Sequence, residues 1–120
     1  MLVTLTKTFQ FEAAHQLPRV PEGHKCRRLH GHSYRLIVAV GGGIDRTTGM
    51  VIDFSDLKRV VESRVLERLD HACANDLMDN PTAEVLARWI WDELSAELPG
   101  LCEIELHETR NCSVVYRGEA

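Results

Sequence analysis

The chain has 120 residues, a formal charge of -4 and 44% apolar residues, with both charge signs interspersed. That suits one domain, 1–120, with a modest core and excludes a disordered segment. No basic leader followed by an apolar run and no stretch of about 20 apolar residues is present, so a cytoplasmic protein without a membrane partner is expected, and the acidic balance gives no general reason to bind nucleic acid.

Val3 to His15 reads as a first strand, with Leu5, Phe9, Phe11, Ala13 and His15 on one alternating phase. Gln16 to Leu29 contains Pro18, Pro21 and Gly23 and reads as a loop. His30 to Val40 resumes the alternation, with His32, Tyr34, Leu36, Val38 and Val40 in phase, and Gly41, Gly42 and Gly43 are expected to end that strand. These glycines lack the lysine and serine or threonine of a phosphate loop. Ile44 to Gly49 is turn-rich, and Met50 to Ile52 is a short extended piece.

Asp53 is the expected cap of a helix whose apolar stripe is Phe54, Leu57, Val60, Val61, Val65 and Leu69. Asp70 to Asp79 is a connector of mixed character. Asn80-Pro81 signals the start of a second helix, with Val85, Leu86, Trp89, Ile90, Leu94 and Leu98 on its buried face and Trp91 near a rim. Leu101 to Thr109 is a third strand, with Cys102, Ile104, Leu106 and Glu108 on one phase, and Arg110-Asn111 turns into a fourth, Cys112 to Arg117. The order is β-β-α-α-β-β, an α+β domain with two helices on one face of a four-stranded antiparallel sheet. Such a sheet leaves long edges, and closure into a barrel between subunits removes them, so a homo-oligomer is expected.

Three histidines carry the chemistry. His30 and His32 flank one glycine and point to the same side of a strand. If the first two strands pair, His15 joins them, and three neutral nitrogens with an open fourth position suit a catalytic zinc ion. The alternative is a turn with incidental histidines. Cys26 lies beside the dense basic cluster His24, Lys25, Arg27 and Arg28, which favours its thiolate. It either closes the metal site as a fourth ligand or stays off the metal and acts as a base. Asp70 precedes His71 and either fixes its tautomer for acid-base work or forms a helix-end surface pair. Glu108 interrupts an apolar phase; it is either the wet end of a strand or the acceptor of the paired N–H groups of an amino-pyrimidinone. His24 and His107 are surface or supporting candidates. The four cysteines form no C-x-x-C pair, which fits a reduced compartment, and Cys73, Cys102 and Cys112 are expected in or near the core.

Phe11-Glu12-Ala13-Ala14-His15, Pro21-Glu22-Gly23-His24-Lys25-Cys26, Leu29-His30-Gly31-His32, Asp53-Phe54, Leu69-Asp70-His71, Asn80-Pro81-Thr82-Ala83-Glu84, and Glu108 with Tyr116-Arg117-Gly118-Glu119 together resemble the 6-pyruvoyl-tetrahydropterin synthase family over nearly the whole chain. The resemblance implies a tunnelling fold, a barrel-forming trimer stacked into a hexamer, and active sites at subunit interfaces. It implies one zinc ion per subunit on His15, His30 and His32, a catalytic thiol at Cys26, an acid-base pair at Asp70 and His71, and a pterin anchor at Glu108. Lys25, Arg27 and Arg28 are then expected to meet the substrate's triphosphate. The short interval between Cys26 and His30 is similar to the carboxy-forming bacterial branch that serves queuosine (7-deazaguanine) synthesis. That branch implies a carbon-carbon lyase converting 7,8-dihydroneopterin triphosphate to 6-carboxy-5,6,7,8-tetrahydropterin, acetaldehyde and triphosphate. The alternatives are elimination of triphosphate with the side chain retained, and a non-catalytic zinc-stabilised pterin-binding module.

Overall fold

The computed structural model describes residues 2–119. Strands β1 (Leu2–His15) and β2 (His30–Gly43) pair antiparallel along their whole length, from Leu2 opposite Gly43 to His15 opposite His30. Fourteen extended residues span about 45 Å, which is why the molecule measures 58 × 25 × 25 Å. The glycine run does not end β2 as expected. Gly41, Gly42 and Gly43 stay paired with Thr4, Val3 and Leu2, and their bare backbone leaves room for Cys102 and Val51. Met50 to Ile52 makes no strand, though Val51 and Ile52 pack against the core.

The first helix, α1 (54–69), is α-helical over Phe54–Val61, passes through a π-helical turn at Glu62–Leu66 and finishes as α-helix at Glu67–Leu69. Asp53 caps it by accepting the Ser55 amide at 2.7 Å. Leu57, Val60, Val61, Val65 and Leu69 are buried, while Phe54 remains about half exposed. The second helix, α2 (Ala83–Ser95), starts later than the Asn80-Pro81 signal suggests. Thr82 is the cap, its hydroxyl accepting the Val85 amide at 3.1 Å, and the Pro81 carbonyl faces His15 instead of entering the helix. Leu86, Ala87, Ile90 and Leu94 are buried, whereas Val85 faces out. Arg68 pairs with Glu93 and lies over the Trp89 ring, joining the two helices. Trp91 packs against Tyr116 and against Gly118, whose φ of 79° turns the chain under the indole.

Between the helices runs a short strand that leaves no periodic signal. β3 (Ala72–Cys73) pairs parallel with Ala13 and Ala14 of β1. With β4 (Leu101–Thr109) and β5 (Cys112–Tyr116) the order is β3-β1-β2-β4-β5, so the sheet is mixed and five-stranded rather than four-stranded and antiparallel. Both helices cover one face, over Phe9, Phe11, Tyr34, Leu36, Val38, Ile104 and Leu106. β1 before Ala13 and the outer side of β5 remain edges. Cys102 and Cys112 are exposed and Cys73 half-buried, and all are free thiols; at Cys102 a register shift against Ala39 and Val40 puts Leu101, not the cysteine, opposite the buried Val40. Among the described residues no helix is long and apolar enough to cross a membrane.

Gly100 closes the turn before β4, its carbonyl accepting the Gly41 amide at 2.8 Å. A Cβ there would press into the Gly41 carbonyl oxygen, whereas one on Gly43 would meet nothing within 4 Å. Gly100→Ala is expected to lower stability by about 1–3 kcal/mol in urea unfolding, and Gly43→Ala to change it by less than about 0.5 kcal/mol.

Candidate metal and active site

His15 and His30 end their strands as direct register partners, and His32 stands opposite Ala13, one pleat away on the same face. Their ligand atoms all lie within 4.8 Å of one another. His15 Nδ1 is 2.7 Å from the Pro81 carbonyl oxygen, and His30 Nδ1 is 2.7 Å from the Arg28 carbonyl oxygen. A carbonyl only accepts, so each Nδ1 carries the ring proton and donates it. The two Nε2 atoms, 2.9 Å apart, are then bare lone pairs that repel unless a cation joins them. His32 Nε2 is buried without a hydrogen-bond partner. Burial holds the His32 imidazole below its ordinary range, opposed in part by Glu108, which favours the neutral form a metal ligand needs. The three imidazoles therefore fit a divalent metal, with two oriented by backbone carbonyls in the way ligating histidines require.

Cys26 lies in a three-residue 3-10 turn, Lys25–Arg27, within the loop joining β1 to β2. The thiol is not part of the histidine cluster. It instead lines a cavity of about 370 Å³ with Lys25, His30, His32, Glu108 and Thr109, a size suited to a small heterocycle. Glu108 is partly exposed, with a carboxylate oxygen 3.6 Å from His32 Nε2. It also borders a second cavity with Leu17, Thr82, Glu84 and Ser113. Tyr34, whose phenol is buried without a partner, is pushed above its ordinary pKa by burial and then by Glu108. Of the basic cluster, only Lys25 lines the thiol cavity; Arg27 donates to the Val20 carbonyl at 2.9 Å and holds the loop.

Asp70 and His71 sit elsewhere. The Glu12 amide donates to Asp70 Oδ1 at 2.9 Å, and the His71 amide donates to the Glu12 carbonyl at 2.6 Å. These bonds clamp the pair onto the edge of β1, just ahead of β3. His71 takes a left-handed φ of 60°, an uncommon conformation for a residue with a side chain and one concentrated at functional sites. Its Nδ1 is 3.0 Å from Asp70 Oδ1, and the ring is largely exposed. The Glu12 amide, followed by His71, holds the Asp70 carboxyl below its ordinary value. His71 lines a cavity with Glu12, Ala14, Gly31, His32 and Ser33. Within one chain, Cys26 and His71 therefore line two different cavities, with His32 bordering both. The supporting roles of Pro81, Arg28 and Glu12 rest on backbone atoms, which no side-chain pattern reveals.

With the geometry in place, comparison with known proteins is informative. The family model for 6-pyruvoyl tetrahydropterin synthase matches residues 4–119. The chain is 47% identical over 117 residues to the 6-carboxy-5,6,7,8-tetrahydropterin synthase of Synechocystis, covering 92% of this chain and 89% of that one. It is 42% identical over 99 residues to the 6-pyruvoyl tetrahydrobiopterin synthase of Homo sapiens, covering 75% and 67%. The solved structure of Caenorhabditis elegans 6-pyruvoyl tetrahydropterin synthase matches with a TM-score of 0.89 at 27% identity, over 99% of this chain and 97% of that one.

Metal content gives a direct check on the cluster. Zinc titration of the purified apoprotein is expected to saturate near one ion per chain, and His15→Ala or His30→Ala to weaken binding at least about 100-fold. Unchanged affinity in both variants would place the metal elsewhere.

Proposed function

The chain belongs to the 6-pyruvoyl tetrahydropterin synthase family, and from that premise we propose that it is a zinc-dependent carbon-carbon lyase. It takes 7,8-dihydroneopterin triphosphate and one water molecule to 6-carboxy-5,6,7,8-tetrahydropterin, acetaldehyde and triphosphate, for queuosine synthesis. The observation that carries this reading is the single cavity shared by Cys26, Glu108, His30 and His32, in a chain 47% identical to a carboxy-forming relative.

His15, His30 and His32 would hold the zinc ion, which when bound supplies Lewis acidity toward oxygens of the substrate side chain. Glu108 accepts the adjacent N–H groups of the amino-pyrimidinone through two parallel hydrogen bonds, fixing the ring and directing its side chain toward the thiol. Cys26 moves a proton at the side-chain carbons. Asp70 takes the Nδ1 proton of His71 in a hydrogen bond and leaves Nε2 to exchange the proton at the oxygen. The oxidation change is internal to the substrate, since carbon-carbon cleavage and triphosphate loss balance the ring reduction without an external hydride. Lys25, Arg27 and Arg28 are the basic side chains offered to the triphosphate, with Lys25 in the cavity wall.

Because His71 and Cys26 line different cavities in one chain, on either side of His32, the complete site takes its acid-base pair from a neighbouring subunit. The free lengths of β1 and β5 supply the edges for a barrel-forming trimer, and two trimers stack into a hexamer. Retention of the three-carbon side chain is the competing reaction, supported by the 42% identity to a tetrahydrobiopterin-forming relative.

Mass-resolved product analysis after anaerobic incubation of the zinc-loaded protein with 7,8-dihydroneopterin triphosphate separates these reactions. The expected products are a carboxypterin and acetaldehyde, with Cys26→Ala slowing their formation about 10²–10⁴-fold. A pterin retaining its three-carbon side chain would establish the competing elimination, and untouched substrate would leave a binding module.

A further inference from the structure

The turn that carries Cys26 is held at unequal strength on its two sides. Its carbonyl accepts the Leu17 amide at 2.8 Å, a backbone bond that ties the loop back to its own start. Its amide donates to a side chain, His24 Nδ1, at 3.0 Å. The His24 amide in turn donates to the Pro21 carbonyl at 3.0 Å, around Gly23 with φ 87°, and the His24 carbonyl accepts the Arg27 amide at 3.1 Å. The Arg28 amide donates to Lys25, and the Arg28 carbonyl receives the His30 Nδ1 proton. One short turn thus links the His24 ring, the thiol and a member of the histidine cluster.

We propose that His24 is the positioning residue for the Cys26 thiol, its imidazole capping the 3-10 turn and fixing where the sulfur stands in the cavity it shares with His30, His32 and Glu108. The proposal rests on reading Cys26 as the catalytic thiol. A three-residue turn has too few internal bonds to hold itself, so a side-chain cap decides its population. Histidine is an unusual cap, and the chemistry of the neighbouring sulfur explains it. Nδ1 accepts only when bare, so the capping ring is the neutral form with its proton on Nε2. A carboxylate at this position would make the same bond but place a negative charge two residues from the sulfur, disfavouring the thiolate. A neutral acceptor caps the turn without that charge.

The test compares His24→Ala with His24→Asn in the intact zinc-loaded protein, because an asparagine carbonyl can accept the same amide two residues ahead. Zinc content and thermal midpoint identify any variant that fails to fold. The first readout is the rate of Cys26 alkylation by iodoacetamide, resolved by peptide mass, with Cys73, Cys102 and Cys112 as internal references. The second is kcat and KM for the pterin triphosphate.

His24→Ala is expected to raise Cys26 alkylation about fivefold, as the half-buried thiol is released, and to lower kcat about fivefold with KM within about twofold. His24→Asn is expected to restore both to within about twofold of the parent. Unchanged alkylation and kcat in His24→Ala would overturn the proposal, as would an asparagine variant as impaired as the alanine one. If the parent turns over no pterin, the proposed reaction fails, and the alkylation comparison alone still decides whether His24 sets the thiol.

Discussion

The register between β1 and β2 is the constraint on which the rest depends. Phe9, Phe11 and Ala13 share a face with Tyr34, Leu36 and Val38, and Phe11 stacks on Tyr34 with ring centres 4.9 Å apart. A slip of one residue would move the slipped strand's members of this set, either Phe9, Phe11 and Ala13 or Tyr34, Leu36 and Val38, out of the core. The same slip would carry His15, or His30 and His32, to the opposite face. Core packing therefore sets the face on which the histidines stand, and the cluster sits at the loop-closed end of the ribbon, where His15 pairs with His30. Two carbonyls complete it, one from Pro81 before α2 and one from Arg28 in the thiol loop. The histidine cluster joins the sheet, the entry to the second helix and the loop bearing Cys26.

From that centre the chemistry divides. Cys26 and Glu108 belong to the cavity beside the histidines. Asp70 and His71 are carried across β1 by a strand of only two residues, and their polar atoms fasten to both backbone groups of Glu12. The pair is solvent-facing, with a left-handed histidine whose ring is largely exposed and whose Nδ1 faces Asp70. In the proposed assembly, the sheet edges that require partners are also the means by which each chain's acid-base pair reaches another chain's thiol.

Much of this was legible in the sequence because it follows from alternation. Period-two patterning placed His15, His30 and His32 on one side, and Glu108 stood out as a charge on an otherwise apolar phase. Other features were set by contacts remote in sequence. Two residues cannot display a period, so β3 was invisible, and the sheet is mixed where an antiparallel one was expected. Gly41 to Gly43 read as a terminator, yet full-length pairing with β1 carries them into the strand. The Pro81 signal gave way to the Thr82 cap because the Pro81 carbonyl serves His15. Cys102 continues the alternating phase of Ile104 and Leu106 in sequence, but the register shift opposite Ala39 and Val40 breaks that phase and leaves the thiol exposed. The His24 cap depends on a turn that only the folded loop defines.

The central claim is that the two halves of the site, separate in one chain, act together across a subunit boundary. Subunit mixing tests it most directly. Cys26→Ala and His71→Ala proteins, each inactive alone, are dissociated, combined in equal amounts and reassembled, and acetaldehyde release is measured. Shared sites predict recovery of about a quarter of the parent activity, since that fraction of interfaces pairs an intact thiol with an intact histidine. A mixture as inactive as its components would contradict the account and return both halves to a single chain.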